Sequence, residues 1–285
     1  MLRLDSKKHD LGGGMIVRRV LPQRLKRMIG PFVFLDHMGP VIIEPDQNTD
    51  VRPHPHIGLS TLTYLFSGRI MHRDSLGTVA SIESGEVNWM TAGHGISHSE
   101  RAFESDRKSL RELHGLQFWI ALPDDQEDCD PEFHHYGYDE IPKIKNDHYE
   151  LTVIAGEGFG LKSPVTVTSP LILVDIKCLQ KCSLKLPWSD YELAVYVISG
   201  QIKIGQELFN SFQMAVLDKN TDLTVEAQID THYIVIGGKP MATVKHIWWN
   251  LVSSSKEKIE NAKMKWKNGE FPMVPEDNEF IEMPD

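Results

Sequence analysis

Cysteine is scarce in this sequence of 285 residues, which contains only Cys129, Cys178 and Cys182. An odd, sparse set of this kind argues against a disulfide framework and against a zinc site built from thiolates. Long apolar runs are lacking too, since none approaches the roughly 18 residues of a membrane-spanning helix. The N-terminal segment MLRLDSKKHDLGGGM has no uninterrupted apolar centre of the kind found in signal peptides. We therefore expect a cytoplasmic protein that does not associate with membranes.

Clusters of basic residues are also lacking. Lys and Arg total 30 against 40 Asp and Glu, which gives a formal net charge of −10. The most lysine-rich stretch, residues 256–267, is interrupted by Glu257 and Glu260. Because so acidic a chain repels the phosphate backbone, direct binding to nucleic acid is not expected. Any macromolecular partner is expected to be a protein.

Helical periodicity is confined to one segment near the C-terminus. There Ser253, Ser254 and Ser255 offer N-caps and Gly269 offers a stop, so a short helix is predicted between them. Elsewhere short β-rich runs alternate with Gly, Pro, Asn and Asp, a pattern that predicts an all-β fold of barrels or sandwiches. The clearest of these runs cover residues 15–20, 32–35, 59–66, 115–121, 151–155, 171–176 and 193–198.

Two short segments resemble each other, YLFSG at 64–68 and YVISG at 196–200. Each has the pattern of a strand running into a glycine turn, which favours two related β domains, although five positions do not prove a duplication. Between the two segments, residues 123–142 are acidic and bracketed by proline, a composition typical of a solvated linker.

Two pairs of candidate metal ligands carry the chemistry, His54 with His56 and His98 with Glu100. Residues i and i+2 of a strand point to the same face, so the members of each pair project together. Two such strands facing one another in a small barrel would bring three imidazoles and one carboxylate to a single point. A lone His-x-His is commonly coincidental in a chain with 13 histidines, but two pairs with the same spacing favour a metal site.

Imidazole and carboxylate ligands suit a borderline divalent metal, and such sets with open positions recur in non-haem iron proteins. Four protein ligands on an octahedral ion leave two positions for water, dioxygen or a chelating substrate. We expect one ion per chain, Fe(II) in the first place. Zinc, copper, manganese, cobalt and nickel also suit these ligands, and the ligand set alone does not choose among them.

At these residues the sequence resembles the pirin family, whose members are bicupin proteins of the cupin superfamily. The resemblance implies two cupin-type β-barrels that face each other, with a short C-terminal helix. It also implies that His54, His56, His98 and Glu100 match the metal ligands of the family, usually around iron. The matching segments are GPFVFLDHMGP (30–40), RPHPHIGLSTLTYLFSG (52–68), HRDSLG (72–77), VNWMTAGHGISHSE (87–100), HGLQFWIALP (114–123) and GGKP (237–240).

The predicted organisation is an N-terminal metal-binding cupin barrel over residues 1–130, a linker over 131–145, and a C-terminal cupin barrel over 146–285 that ends in the helix. Counting back from the glycine of each repeat, His54 and His56 correspond to Leu186 and Trp188. The C-terminal barrel is therefore predicted to lack a metal site. His232 and His246 are interpreted as structural or exposed residues, and the linker pair His134 and His135 as a surface feature.

Other residues near the predicted site are open to more than one interpretation. His94 stands where the family commonly carries arginine, and we favour a turn residue over a proton shuttle or a partner of a metal ligand. Ser60 stands where many cupins place a glutamate, which leaves one carboxylate fewer around the metal. A supporting role beside the site is conceivable for four residues, but a structural role is favoured for each: Asp36, His37, His114 and Gln117.

The resemblance implies a quercetin 2,3-dioxygenase-type oxidoreductase that acts on flavonols such as quercetin, with the small aromatic substrate and dioxygen as its partners. Glu100 is then the candidate catalytic base for the flavonol 3-hydroxyl. The alternative is a metal- or redox-dependent transcriptional cofactor that acts through protein partners, and a third possibility is a purely structural metal. The fold and the ligands do not choose among these functions.

Overall fold

The computed structural model describes residues 1–11, 15–218 and 223–284, and its secondary structure is mainly β. The described residues contain one α-helix, α1 (Lys256–Lys267), after the last strand. The strands are β1 (Leu2–Asp5), β2 (Lys7–Asp10), β3 (Ile16–Leu21), β4 (Phe32–Ile43), β5 (Val51–His56), β6 (Leu59–Ser67), β7 (Ile70–Asp74), β8 (Val79–Ile82), β9 (Val87–Thr91), β10 (Ile96–Arg101), β11 (Arg111–Ala121), β12 (Glu132–Tyr136), β13 (Lys143–Lys145), β14 (Tyr149–Gly158), β15 (Leu161–Lys162), β16 (Leu171–Cys178), β17 (Cys182–Lys185), β18 (Glu192–Ser199), β19 (Gln201–Ile204), β20 (Glu207–Asn210), β21 (Gln213–Val216), β22 (Thr224–Ala227), β23 (Thr231–Gly238), β24 (His246–Trp248) and β25 (Leu251–Ser253).

The chain forms two compact units, and neither is continuous in sequence. We call one the N-terminal barrel; it comprises Lys8–Val17, Asp36–Tyr138 and Ala242–Asp285. We call the other the C-terminal barrel; it comprises Met1–Lys7, Arg18–Leu35 and Asp139–Met241. The prediction of an all-β, two-domain cupin fold with a short C-terminal helix is confirmed.

The smaller sheet of the N-terminal barrel carries the candidate site. Its strand order is β5-β10-β7-β8, and the larger sheet has the order β12-β9-β6-β11-β4-β3-β2. Strand β10 pairs antiparallel with β5 on one side and with β7 on the other. Alternate residues on neighbouring strands share one face of a sheet, so three strands contribute side chains to the same surface.

The C-terminal barrel repeats this plan with a different core. Its small sheet has the order β17-β22-β19-β20, and its large sheet has the order β1-β21-β18-β23-β16-β14-β13, with β15 paired to β14. In β19 the buried Ile202 and Ile204 alternate with more exposed polar residues, which directs one face of the strand to the core.

The structure supports the weak sequence repeat. Gly68 ends β6 and Gly200 ends β18, and both have positive φ, 85° and 83° respectively. A Cβ atom at Gly68 would lie 2.2 Å from the carbonyl oxygen of Glu112, so the turn also requires the small residue. The pairings of the strands that lead to these glycines, β6 with β11 and β18 with β23, both shift register near them.

The predicted strands are found, but the predicted domain boundaries need correction at the linker and at both ends of the chain. The division between the two units at Tyr138 and Asp139 does lie within the predicted linker, residues 131–145. Much of that segment is strand, however, because β12 pairs with β9 and β13 pairs with β14. The acidic composition that suggested a linker belongs to the turn around Asp124–Gln126, whereas Phe133 in β12 packs on the ring of His72. At the ends of the chain, residues 242–285 with the helix belong to the N-terminal barrel, whereas Met1–Lys7 and Arg18–Leu35 belong to the C-terminal barrel.

Helix α1 begins and ends where its sequence predicts. The side chain of Ser255 accepts a hydrogen bond from the backbone N–H of Lys258, and Gly269 follows the helix with a φ of 69°. Three apolar residues of the helix, Ile259, Ala262 and Trp266, lie at spacings of three and four and are buried. Within the described ranges, no helix has the length and apolarity needed to span a membrane.

Candidate metal centre

The register of the small sheet places the predicted histidines side by side. His98 in β10 lies directly opposite His54 in β5, and Ile96 lies opposite His56. The ring centroids of His54 and His98 are 4.4 Å apart, and each is 5.0 Å from the centroid of His56. One ring nitrogen from each of these histidines lies within 4.8 Å of the others. The structure therefore brings three imidazoles to one point.

Hydrogen bonds to main-chain carbonyl oxygens orient two of the three rings, those of His54 and His56, in the same sense. The Nδ1 atom of His54 lies 2.9 Å from the carbonyl oxygen of Arg52, and Nδ1 of His56 lies 2.9 Å from that of Asn250. A carbonyl oxygen can only accept, so both Nδ1 atoms carry the proton and both Nε2 atoms have a free lone pair. The Nε2 atoms of His56 and His98 approach to 3.1 Å. Neutral imidazoles with converging lone pairs suit a borderline divalent cation.

Burial keeps these imidazoles neutral. Loss of hydration lowers the pKa of His54 to about 4, with a smaller opposing effect of the hydrogen bond to Arg52. Burial also holds the pKa values of His56 and His98 well below the usual range, and the neighbouring histidines add to the effect. Protons therefore compete little for the three lone pairs at neutral pH.

Glu100 stands apart from the three imidazoles. None of its oxygens belongs to the group of ring nitrogens that lie within 4.8 Å of one another. The pairing of β10 with β5 shifts register between His98 and Glu100, while on the other side Glu100 lies opposite His72 of β7. Burial raises the pKa of Glu100 to about 7. Its side chain borders a cavity of about 50 Å³ whose walls include Met38, Ile70 and Arg111.

His72 and Asp74 also reach the centre, although the sequence analysis assigned them no role. Nδ1 of His72 lies 3.5 Å from Nδ1 of His98, and Nε2 of His72 lies 3.0 Å from the Oδ2 atom of Asp74. The sequence contains a pattern that could have predicted them, because His72 and Asp74 have the same i, i+2 spacing as the two ligand pairs. The contact from Asn250 has no such signal, since it comes from 194 residues away.

Several other candidates have structural partners. His94 lies in an exposed turn with its Nε2 atom 3.4 Å from Asp130, and Ser60 is buried with its hydroxyl 3.1 Å from that of Thr91. Asp36 is buried in β4. The remaining pairs are His37 with His114, whose Nε2 atoms are 2.9 Å apart, and Gln117 with Thr63, joined by a 2.8 Å hydrogen bond.

The two histidines of the predicted linker, His134 and His135, also have polar partners. Nδ1 of His135 lies 2.8 Å from the Oδ1 atom of Asn88, and Nε2 of His134 lies 3.2 Å from Glu132. Both histidines lie in β12, opposite Asn88 and Trp89 of β9.

The corresponding positions of the C-terminal barrel are apolar. Leu186 and Trp188 belong to its hydrophobic core. The backbone N–H of Leu186 donates to the carbonyl oxygen of Leu223. His232 lies 2.5 Å from the carboxylate of Asp175, and His246 begins β24.

The fold and the site together define a two-domain cupin with a three-histidine cluster in one barrel. The pirin family matches residues 14–120, and the pirin C-terminal cupin domain matches residues 173–272. A pirin-like protein of Caulobacter vibrioides is 46% identical over 289 residues, covering 100% of this chain and 99% of the relative. The chain therefore belongs to the pirin family, as its motifs predict.

Two further relatives carry the name of an enzyme. A Pseudomonas aeruginosa protein provisionally named quercetin 2,3-dioxygenase is 37% identical over 270 residues, which is 94% of this chain and 84% of that protein. The crystal structure of a quercetin 2,3-dioxygenase from Acinetobacter baumannii superposes with a TM-score of 0.92 at 36% sequence identity, covering 100% of this chain and 95% of the other.

Proposed function

We propose that this protein is a metal-dependent dioxygenase of flavonols such as quercetin, with Fe(II) bound by His54, His56, His98 and Glu100. The observation that carries the proposal is the cluster of three buried imidazoles, of which two are fixed with Nε2 unprotonated and the third converges on them. The similarity to proteins named quercetin 2,3-dioxygenase supports the reaction class and the aromatic substrate.

The metal would supply Lewis acidity and a template for the reactants. The chain supplies the positions of the groups around it. His54, His56 and His98 are buried, and strand register places their rings side by side, so that one nitrogen of each lies within 4.8 Å of the others. In this proposal Glu100, once released from the metal, accepts the proton of the flavonol 3-hydroxyl at a carboxylate oxygen, a transfer that requires hydrogen-bond distance.

The cavity beside Glu100 limits how the substrate enters. Its volume of about 50 Å³ suits water or dioxygen, whereas pockets for drug-sized ligands measure roughly 300–1,000 Å³. A flavonol in contact with Glu100 would therefore have to displace wall side chains such as Met38 and Ile70. Methionine is the residue best suited to such a displacement, since it is unbranched and flexible.

A turnover assay tests the proposal. Iron-loaded protein, quercetin and oxygen should give loss of the flavonol absorbance, and protein stripped of metal should not. Glu100→Gln should lower kcat by about 100-fold or more, the usual contribution of a general base. Glu112→Gln is the matched control, because Glu112 borders the same cavity and should keep full activity.

Two results would contradict the proposal. Full turnover by Glu100→Gln with its metal retained would remove Glu100 from the role of base. Absence of turnover across several flavonols by iron-loaded protein would reject the enzyme and favour the transcriptional-cofactor alternative.

Three cysteines without disulfides support our placement of the protein in a reducing compartment such as the cytoplasm.

A further inference from the structure

One of the three imidazoles is held differently from the other two. His54 and His56 donate their Nδ1 protons to main-chain carbonyl oxygens, which have a fixed direction. The Nδ1 atom of His98 instead faces Nδ1 of His72 at 3.5 Å, and an imidazole nitrogen can either donate or accept. Two neighbours therefore act on the tautomer of His98. The free lone pair on Nε2 of His56, 3.1 Å from Nε2 of His98, favours a proton on Nε2 of His98, whereas an accepting His72 favours a proton on Nδ1.

Asp74 determines what His72 does. Its Oδ1 atom accepts hydrogen bonds from the backbone N–H groups of Leu76 at 2.9 Å and Thr78 at 3.1 Å. Its Oδ2 atom lies 3.0 Å from Nε2 of His72. Burial by itself would raise the pKa of Asp74, but the hydrogen bonds from His72 and Thr78 outweigh it and lower the pKa. An ionised carboxylate only accepts, so Nε2 of His72 carries the proton.

The ring plane of His72 is also fixed. Its imidazole stacks on the ring of Phe133 with centroids 4.4 Å apart and an angle of 22° between the planes. The exposed fractions of His72 and Asp74 are 5% and 0%, so water does not readily replace either contact. If Nε2 carries the single proton of a neutral His72, its Nδ1 atom has a lone pair and can accept from Nδ1 of His98, the atom that faces it.

We propose that Asp74 and His72 are positioning residues that keep the proton of His98 on Nδ1 and so leave its Nε2 atom free to bind a divalent cation. The inference rests on the metal site of the proposed function and is independent of the flavonol. Outer partners that orient a ligating histidine typically contribute about 10- to 100-fold to metal affinity. Here Asp74 orients His72, and His72 orients the metal ligand His98.

Nuclear magnetic resonance of the metal-free protein labelled with ¹⁵N histidine tests the tautomer directly. In the wild type, His98 should be protonated at Nδ1. In Asp74→Asn, the amide oxygen can keep the bonds to Leu76 and Thr78 while its NH₂ group faces His72. His72 must then accept at Nε2 and donate at Nδ1, which should move the proton of His98 to Nε2. Protonation of wild-type His98 at Nε2 would overturn the inference.

Titration with Co(II) provides the second measurement. Asp74→Asn should bind Co(II) about 10- to 100-fold more weakly than the wild type. In a His72→Phe background the contacts that link Asp74 to His98 through His72 are already lost, so adding Asp74→Asn should cause no further loss of affinity. If the loss from Asp74→Asn were equal in both backgrounds, Asp74 would act through the turn at Leu76 and Thr78, and the inference would be wrong.

The two proposals fail in distinguishable ways. If wild-type protein bound neither Co(II) nor Fe(II), the proposed function would be rejected, whatever the histidine tautomers show. If the wild type bound Co(II) and Asp74→Asn bound it equally well, only the role of Asp74 and His72 would be rejected. Neither measurement uses flavonol turnover.

Discussion

At the scale of single residues, the candidate site depends on where each imidazole holds its proton. His56 is the most constrained of the three, since its Nδ1 atom bonds to Asn250 while its ring contacts His54, His98 and Trp119. Its exposed fraction is 1%. Solvent therefore has little access to this ring.

Removal of one imidazole should therefore abolish most metal binding. We expect His56→Ala to lower the affinity for Fe(II) or Co(II) by more than about 100-fold, beyond the usual effect of an outer partner. His94→Ala should bind as the wild type does, because His94 is exposed and bonds to Asp130. Equilibrium dialysis with metal analysis gives both values, and a His56→Ala protein that kept its ion would contradict the site.

Alternation along a strand was enough to predict which imidazoles meet, because His54, His56 and His98 lie on regular antiparallel strands. The same rule could not place Glu100, since the register shift next to it is a feature of strand pairing and not of local sequence. It could not predict the contact from Asn250 either, because that contact is made by a main-chain carbonyl oxygen, which every residue has. Partners distant in sequence and main-chain acceptors are what sequence reasoning misses.

At the scale of elements, the C-terminal segment is tied to the N-terminal barrel by one buried carboxylate. Glu127 accepts hydrogen bonds from Nζ of Lys245 at 2.7 Å, the hydroxyl of Ser253 at 2.7 Å and the backbone N–H of Ser254 at 2.7 Å. The side chain of Lys245 is fully buried. Acidic composition alone suggested a solvated linker here, because a sequence does not show that a lysine over a hundred residues later is buried against it.

Replacing this carboxylate should destabilise the protein in a pH-dependent way. Glu127→Gln leaves Lys245 with only Asp124 as a charged partner, and we expect a loss of about 2–4 kcal/mol, near the range for a broken buried pair. Burial alone would raise the pKa of Glu127, but Lys245, Ser253 and Ser254 lower it below 4.5. The stabilisation is thus complete above about pH 4.5 and is lost as the pH falls below it, with a slope of up to about 1.4 kcal/mol per unit.

Urea unfolding between pH 3 and pH 7 measures this effect. The variant should show a shallower decline of stability at acidic pH than the wild type, because one carboxylate no longer has to be protonated on unfolding. Asp128→Asn is the control, since Asp128 is exposed in its ion pair with Lys258 and should cost less than about 1 kcal/mol. Equal acid slopes for wild type and Glu127→Gln would disprove the assignment.

At the scale of the whole molecule, one barrel plan is used for two different interiors. The strand order β5-β10-β7-β8 corresponds to β17-β22-β19-β20, and the spacing from Gly68 and Gly200 equates His54 with Leu186. The repeat was visible in sequence as five residues, and its alignment predicted that Leu186 and Trp188 replace the first ligand pair; the structure places both in the hydrophobic core. The units themselves were not predictable as continuous ranges, because residues from both ends of the chain join the other barrel.

Substitutions at the equivalent positions His54 and Leu186 should therefore separate metal binding from folding. Leu186→Ala removes a core side chain with 1% exposure and should cost about 2–5 kcal/mol of unfolding free energy, with Co(II) affinity unchanged. His54→Ala should lose Co(II) binding and with it the stabilisation by metal, which for the wild type is about 2.7 kcal/mol at a free concentration of 100 Kd. Urea unfolding of each variant with and without Co(II) measures both quantities. Loss of the metal response in Leu186→Ala would show that the C-terminal core supports the metal site, contrary to the division of roles inferred from the repeat.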